Sequence, residues 1–389
     1  MILKKPNLIV KIIIAIILGI AAGFVFPDAI SRVFITFNGL FGNFLGFIVP
    51  LLILGLIVPG ITAMGKKSGS LLLITAALAY LFTLFSGFFT YGIMSVVEPI
   101  LLAGESIKSL EGDIVTLAPY FTVDMTPILG VMSALIFAFI MGIGITIVNG
   151  DALNNIFEEF REIVMKCINR IIIPLLPIYI FGIFMSMTIS GEVASVISIF
   201  VKLILVIFVL TAILLVIQYS IAGAIVKRNP FKMLWGVIPA YFTALGTQSS
   251  AATIPVTLAQ TIKIGVRPSV ASFVIPLCAT IHLSGSTMKI VACAMAVIML
   301  NGGSIDPATM AGFIMTLGIT MIAAPGVPGG AIMAALGILA KILGFDDQML
   351  GLMVALYIAM DSFGTATNVA GDGAIATIVD VIAGDSIKE

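Results

Sequence analysis

The residues best placed to do chemistry lie in Asp361 to Gly373, DSFGTATNVAGDG, toward the end of a long apolar stretch. On an α-helix, Asp361, Thr365, Asn368 and Asp372 share one face over ~16 Å of axis. A carboxylate at bilayer depth costs at least ~2.5 kcal/mol on insertion scales, so two in register with a Thr and an Asn point to a shared ligand or ion. A cation or an ammonium group would satisfy them. Interhelical glue is the structural alternative, and Asn and Thr supply that without a charge.

The elements that must position this stripe are membrane helices. The chain has 389 residues, 60% hydrophobic and only 10% charged, and a mean hydropathy of +1.25, which excludes an ordinary soluble domain. The 19 basic and 19 acidic residues balance with no basic block, so nucleic acid is not an expected partner. Cys167, Cys278 and Cys293 sit in apolar surroundings without CxxC spacing, which argues against a disulfide framework and against zinc.

Apolar spans are expected at residues 1 to 27, 36 to 63, 70 to 97, 114 to 148, 155 to 190 and 193 to 226. The first carries no small-residue cleavage site and reads as a spanning helix, not a removable signal. The fifth opens on charged FEEFREIVMKCINR and becomes apolar, the pattern of a long tilted helix that starts at the surface. An acidic loop with Glu98, Glu105, Glu111 and Asp113 separates the third and fourth spans. Lys4 and Lys5, Lys66 and Lys67, Arg161, Lys166 and Arg170, and Lys227, Arg228 and Lys232 recur on alternate loops. Those loops are expected to be cytoplasmic, with both termini inside. Trp235, beside the basic KRNPFK loop, reads as an interfacial anchor.

Beyond residue 228 the pattern changes. Residues 230 to 262 hold TALGTQSSAATIPVTL, and residues 305 to 344 hold APGVPGGAIM. Interrupted segments at membrane depth survive only where they are buried in protein or line a cavity. Two of them, each followed by a span (265 to 300 and 347 to 383), predict re-entrant hairpins in inverted repeats around a binding site. GVPGG lacks the lysine of a nucleotide-binding loop.

TQSSAATIP, PLCATIHLSGST, GVPGGAIM and DSFGTATNVAGD, in this order, resemble the dicarboxylate/amino acid:cation symporter family, the glutamate transporter homologues, over essentially the whole chain. The resemblance implies an all-α polytopic membrane protein of eight transmembrane helices plus two re-entrant helical hairpins. It implies an elevator-type transporter, not an enzyme, that assembles as a homotrimer in the cell membrane. The implied division is residues 1–66 as scaffold helices one and two, 67–112 as helix three of the transport domain with the acidic loop, 113–190 as scaffold helices four and five, and 191–389 as the remaining transport domain.

By the same resemblance, Asp361 holds a substrate ammonium, Thr365 and Asn368 contact substrate, and Ser249 and Ser250 receive its carboxylate at the first hairpin tip. Ser286 stands where the family has a contacting Thr, and Val327 closes over the substrate. Asp372, with the backbone of Asn368, Cys278 and His282, matches a sodium site, and a second is expected at Thr280. A hard cation suits carboxylate and carbonyl oxygen. The third helix, from Tyr80 to Ser86, is a further source of ion ligands. No organic cofactor is expected; Na+ is the implied coupling ion.

Three departures from the family pattern carry information. Acidic-substrate members have an arginine three residues after the matched aspartate, where this chain has Gly364, and Gln248 holds the other position that can carry one. Without a guanidinium a second substrate carboxylate would be buried unpaired, at a cost of several kcal/mol. The expected substrate is therefore a small neutral amino acid, serine or threonine first and alanine next. The family's Asn-Met-Asp-Gly-Thr is here His282-Leu283-Ser284-Gly285-Ser286, which removes a carboxylate from one sodium site and predicts fewer ions per cycle. His282 is either a proton-coupling group or a neutral ring satisfied by carbonyls. Lys289 either snorkels or acts as a fixed cation in place of a missing sodium ion.

Two other functions fit the sequence less well. An intramembrane aspartyl protease would need carboxylates about 3 Å apart, and Asp361 and Asp372 lie ~16 Å apart on one helix. A passive channel would not need two closable hairpins around a carboxylate and hydroxyl site. Proton-coupled symport of a neutral or dicarboxylic amino acid is the alternative within the same class.

Overall fold

The computed structural model describes residues 8–65, 70–101, 117–191, 193–304, 306–322, 324 and 329–384. Glu105, Glu111, Asp113, Lys4, Lys5, Lys66, Lys67 and Val327 lie outside the described residues. Among the described residues the chain is helical, without strands. In order the helices are α1 (Leu8–Val25), α2 (Asp28–Gly65), α3 (Ser70–Leu101), α4 (Val131–Val148), α5 (Asp151–Cys167), α6 (Ile173–Ile189), α7 (Val193–Val226), α8 (Pro230–Thr247), α9 (Ser250–Lys263), α10 (Pro268–Ile281), α11 (Ser284–Leu300), α12 (Pro307–Ile322), α13 (Gly330–Leu343), α14 (Asp347–Ala359) and α15 (Asp361–Ala383).

Five stretches are long and apolar enough to cross a membrane, Asp28–Thr62, Leu71–Val97, Asp151–Ile189, Val196–Val226 and Pro268–Leu300, with a sixth where α14 and α15 join at a 61° bend. This is a multi-pass membrane architecture. The first expected span, as described, is a shorter apolar helix. The fourth differs in kind: α4 begins only at Val131, and residues 117–130 are irregular. Pro119 and Pro127 remove backbone donors and disfavour helix before them. This strap is instead held to α2, where Arg32 Nε donates to Ala118 O (2.9 Å), Asn43 Nδ2 to Val123 O (2.7 Å) and the Tyr120 N–H to Thr36 Oγ1 (2.8 Å). A π-turn, Ile168–Ile172, joins amphipathic α5 to apolar α6 and lets one long rod run on past Arg170.

The helices pack in two groups that share one continuous apolar core. α1 lies along α6, and α2 packs on α4, α5 and α6. In the other group α15 runs through the middle, touching α3, α7, α8, α9, α10 and α11, while α12 and α13 pair and α13 also meets α2. Arg267 staples the α9–α10 loop to the end of α15, with Nε on Asp380 Oδ1 and Nη2 on Asp380 O, both at 2.7 Å, and Nη1 on the Gly384 carbonyl. Outward faces carry exposed Ile17, Leu73, Leu205, Val209 and Trp235, the surface expected toward lipid.

The segments singled out by small and polar residues are the places where helices break. Gln248 turns left-handed (φ 55°) and Ser249 caps α9 by accepting from the Ala252 N–H. His282 is extended (φ −102°, ψ 102°) between α10 and α11. Gly329 (φ 74°) opens α13, a backbone state that favours glycine. Met360 (φ −110°, ψ 10°) separates α14 from α15.

Close helix approach makes a test of the first group. A Cβ at Gly19 on α1 would lie 2.5 Å from the Phe181 carbonyl of α6, whereas one at Gly39 on α2 meets nothing within 4 Å. Helix propensity favours alanine at both by up to ~1 kcal/mol. Gly19→Ala is expected to destabilise by about 1–3 kcal/mol through overpacking, and Gly39→Ala to be neutral or stabilising, as read by thermal unfolding in detergent.

Candidate functional site

The three helix breaks nearest α15 meet side chains from α15 itself. Asp361, at the first position of α15, is buried, with 4% of its surface exposed. Its Oδ1 lies 3.2 Å from Lys289 Nζ of α11, and its Oδ2 accepts from the Gly329 N–H at the start of α13 (2.8 Å). Lys289 is fully enclosed. Its ammonium also donates to the Met360 carbonyl (3.3 Å) and lies 3.8 Å from the centroid of the Tyr357 ring. Of the two roles open to Lys289, the enclosed geometry is that of a fixed internal cation, not a snorkelling side chain.

Two turns further along α15, Asn368 caps α11. Its Oδ1 accepts from the Gly285 N–H (2.8 Å) and the Ser286 N–H (3.4 Å), and its Nδ2 donates to Ser286 Oγ (3.1 Å). Tyr357 O–H donates to the same Ser286 oxygen at 3.0 Å. Thr365 is buried on the same helix between these groups. Asp361, Lys289, Tyr357, Ser286 and Asn368 thus form one connected polar cluster, with Thr365 buried on the same helix.

The first hairpin tip reaches α15 through Gln248, whose Nε2 donates to Ser362 Oγ at 3.1 Å. Ser250 is buried at the start of α9, and Ser249 is half-buried as its cap. The α9 N-terminus therefore lies beside the start of α15, and a helix N-terminus favours an anionic group.

A second polar cluster lies three turns along α15 from Asp361. Asp372 Oδ1 is 2.9 Å from His282 Nδ1, both side chains being buried. The His282 ring sits edge-on to Phe82, and its Nε2 has no hydrogen-bond partner. Ser284 Oγ accepts from Gln218 Nε2 (3.1 Å), and the Ser284 carbonyl from Ser86 Oγ (2.6 Å). The Cys278 carbonyl accepts from the His282 N–H, ending α10, and its thiol is free and buried. Thr280 stands apart: its side chain is exposed and donates back to the Leu277 carbonyl at 2.7 Å. Among the described residues no group of three or more His, Cys, Asp and Glu side chains is placed to hold a metal ion. At Asp372, where sodium is expected from the sequence, an imidazole faces the carboxylate.

Sequence reasoning missed Tyr357 and Gln218. Tyr357 precedes Asp361 by one turn, the spacing that places two residues on one helix face. Gln218 is a lone amide in the apolar α7, the kind of residue that is expensive in a membrane unless partnered.

Polar groups converging on broken helix ends, inside an all-helical apolar bundle, define a membrane-embedded carrier. The sodium:dicarboxylate symporter family matches residues 8–382, and the chain belongs to that family. Its similarity to the serine/threonine transporter SstT of Acinetobacter baumannii (strain AYE) covers 97% of both chains at 26% identity. SstT of Acinetobacter baylyi is 24% identical over 97% of this chain and 98% of that protein. Excitatory amino acid transporter 2 of Mus musculus is 32% identical over 156 residues, 40% of this chain and 27% of its own. The chain is a transporter, not an enzyme.

The ion pair yields a test. Asp361→Asn is expected to destabilise by about 3–5 kcal/mol, because it leaves the buried Lys289 charge uncompensated. Adding Lys289→Met should restore more than half of that loss in thermal unfolding. Strictly additive losses would show that the two groups do not interact.

Proposed function

We propose that this protein is a secondary active transporter that carries a small neutral amino acid, serine or threonine first and alanine next, with Na+. The full-length relatives carry serine/threonine transport in their names. One observation supports the choice of a neutral substrate. Lys289, the only fully buried Lys or Arg among the described residues, stands beside Gly364 and is engaged by Asp361. A cation is thus present next to the position where acidic-substrate members place an arginine, but its charge is already matched. A zwitterion with no further charge leaves the cluster neutral. An acidic amino acid adds a carboxylate with no free partner, which costs several kcal/mol when buried.

In this reading the substrate ammonium docks on Asp361, and its carboxylate meets the N-terminus of α9 at Ser249 and Ser250. Ser286, Thr365 and Asn368 contact the remainder, and Val327 closes over it. Asp372 and the carbonyls of Cys278, His282 and Asn368 form one region for Na+, and Thr280, which stands apart from it, marks a second. The group around α15 acts as the transport domain, residues 67–112 and 191–389. It moves against a scaffold of residues 1–66 and 113–190 in an elevator motion. Eight spanning helices and two re-entrant hairpins, a homotrimer in the cell membrane and cytoplasmic termini complete the proposal.

A second reading, proton-coupled symport, is favoured by the 2.9 Å contact of His282 with Asp372 where a cation would otherwise lie. The reconstituted protein decides between them. An inward Na+ gradient is expected to drive uptake of labelled serine, Asp361→Asn to abolish it and excess glutamate not to compete. Uptake that ignores Na+ and follows an inward proton gradient would establish the second reading. Glutamate uptake without serine uptake would overturn the substrate assignment.

A further inference from the structure

Lys289 has a place in the structure but no task in the transport steps above. All the directions available to its ammonium are used within the protein: the Asp361 carboxylate at 3.2 Å, the Met360 carbonyl at 3.3 Å and the Tyr357 ring at 3.8 Å. Room for it comes from Gly364, where a Cβ would overlap Lys289 Cε and lie 2.5 Å from Nζ. Asp361 is therefore compensated before any substrate arrives, and its second oxygen is held by the Gly329 N–H.

A carrier meets its hardest electrostatic step after it has released its cargo. If Asp361 holds the substrate ammonium, release strips that carboxylate of its partner, and the emptied site must cross back at bilayer depth. An uncompensated buried charge there is strongly unfavourable. Either the empty carrier waits for a new amine, which restricts it to exchange, or another cation fills in. We propose that Lys289 is a fixed counter-cation for Asp361, a positioning residue that lets the emptied carrier return with no ion or substrate on that carboxylate. The protein then performs net transport, not exchange alone. The proposal rests on the reading of Asp361 as the holder of the substrate ammonium. It has a second consequence: the substrate amine shares Asp361 with Lys289 and binds less tightly than it would to a free carboxylate.

Two transport modes measured on the full-length reconstituted protein separate these effects. Exchange uses vesicles preloaded with unlabelled serine, threonine and alanine; net uptake uses empty vesicles under the same Na+ gradient. For Lys289→Met we expect exchange to persist with KM lowered about tenfold, as removal of a competing internal state raises apparent affinity. Net uptake should fall at least about tenfold, since the empty Asp361 is left uncompensated. Gly364→Ala, which pushes the Lys289 side chain off Asp361 without removing its charge, should shift both modes in the same directions. It serves as the deciding variant if Lys289→Met does not elute as a folded species. Parallel loss of both modes with KM unchanged would reduce Lys289 to a structural role and overturn the proposal. So would variants that match the wild type in both modes. A wild type that moves none of the three amino acids in either mode would overturn the substrate reading, and the proposal with it, whereas active wild type with unresponsive variants would overturn the Lys289 role alone.

Discussion

The buried pair of Lys289 and Asp361 sits on a helix break, and the break is what makes the pair tolerable. At Met360 one helix ends and the next begins. The C-terminal end of α14 presents carbonyls to the lysine, and the N-terminal end of α15 presents its first turn to the aspartate. Each charge meets the helix end of opposite partial sign, a favourable contribution on both sides. The start of α13 adds a third helix end, again an N-terminus, to the carboxylate. A straight helix through residue 360 would bury the same two charges against apolar side chains alone. The 61° bend, the missing side chain at Gly364 and the Tyr357 ring are conditions for a single ion pair.

The same logic recurs along α15. Three of the four members of its stripe are matched to a broken end of another helix. Asp361 serves α13, Asn368 caps the first turn of α11, and Asp372 holds His282 at the end of α10. Orphan backbone groups at helix termini must be satisfied, and inside a membrane water is not there to do it. α15 is thus the element around which the broken helices are arranged, and the polar site is the by-product of capping them.

This explains which parts were legible in the sequence. The breaks were, because Gly, Pro and Ser in TQSS, HLSGS and GVPGG interrupt otherwise apolar runs, and helix ends fall within a few residues of them. The polar stripe was also legible, because a helical period places Asp361, Thr365, Asn368 and Asp372 together. The strap at residues 117–130 was not, since its apolar composition hides the two prolines that keep it from becoming helix. Nor was the direction of Lys289. Every residue of α11 from Ser284 to Val297 is buried, so the helix has no solvent or lipid face and its sequence carries no amphipathic signal. Only the packed structure shows that Lys289 turns toward the space left by Gly364.

Two of the departures noted in the sequence, Gly364 and the HLSGS stretch, then become parts of one electrostatic design. The first lacks a cation, and Lys289 of α11 stands opposite Asp361; the second lacks a carboxylate, and His282 beside α11 stands opposite Asp372. A soluble cation bound between α11 and α15 would hold those helices together only while it is bound. A lysine that belongs to α11 holds them whether the site is loaded or empty, because its tether keeps the effective concentration of the cation high at all times. The contacts that a free ion would make and break in each cycle are, at Asp361, built into the covalent chain.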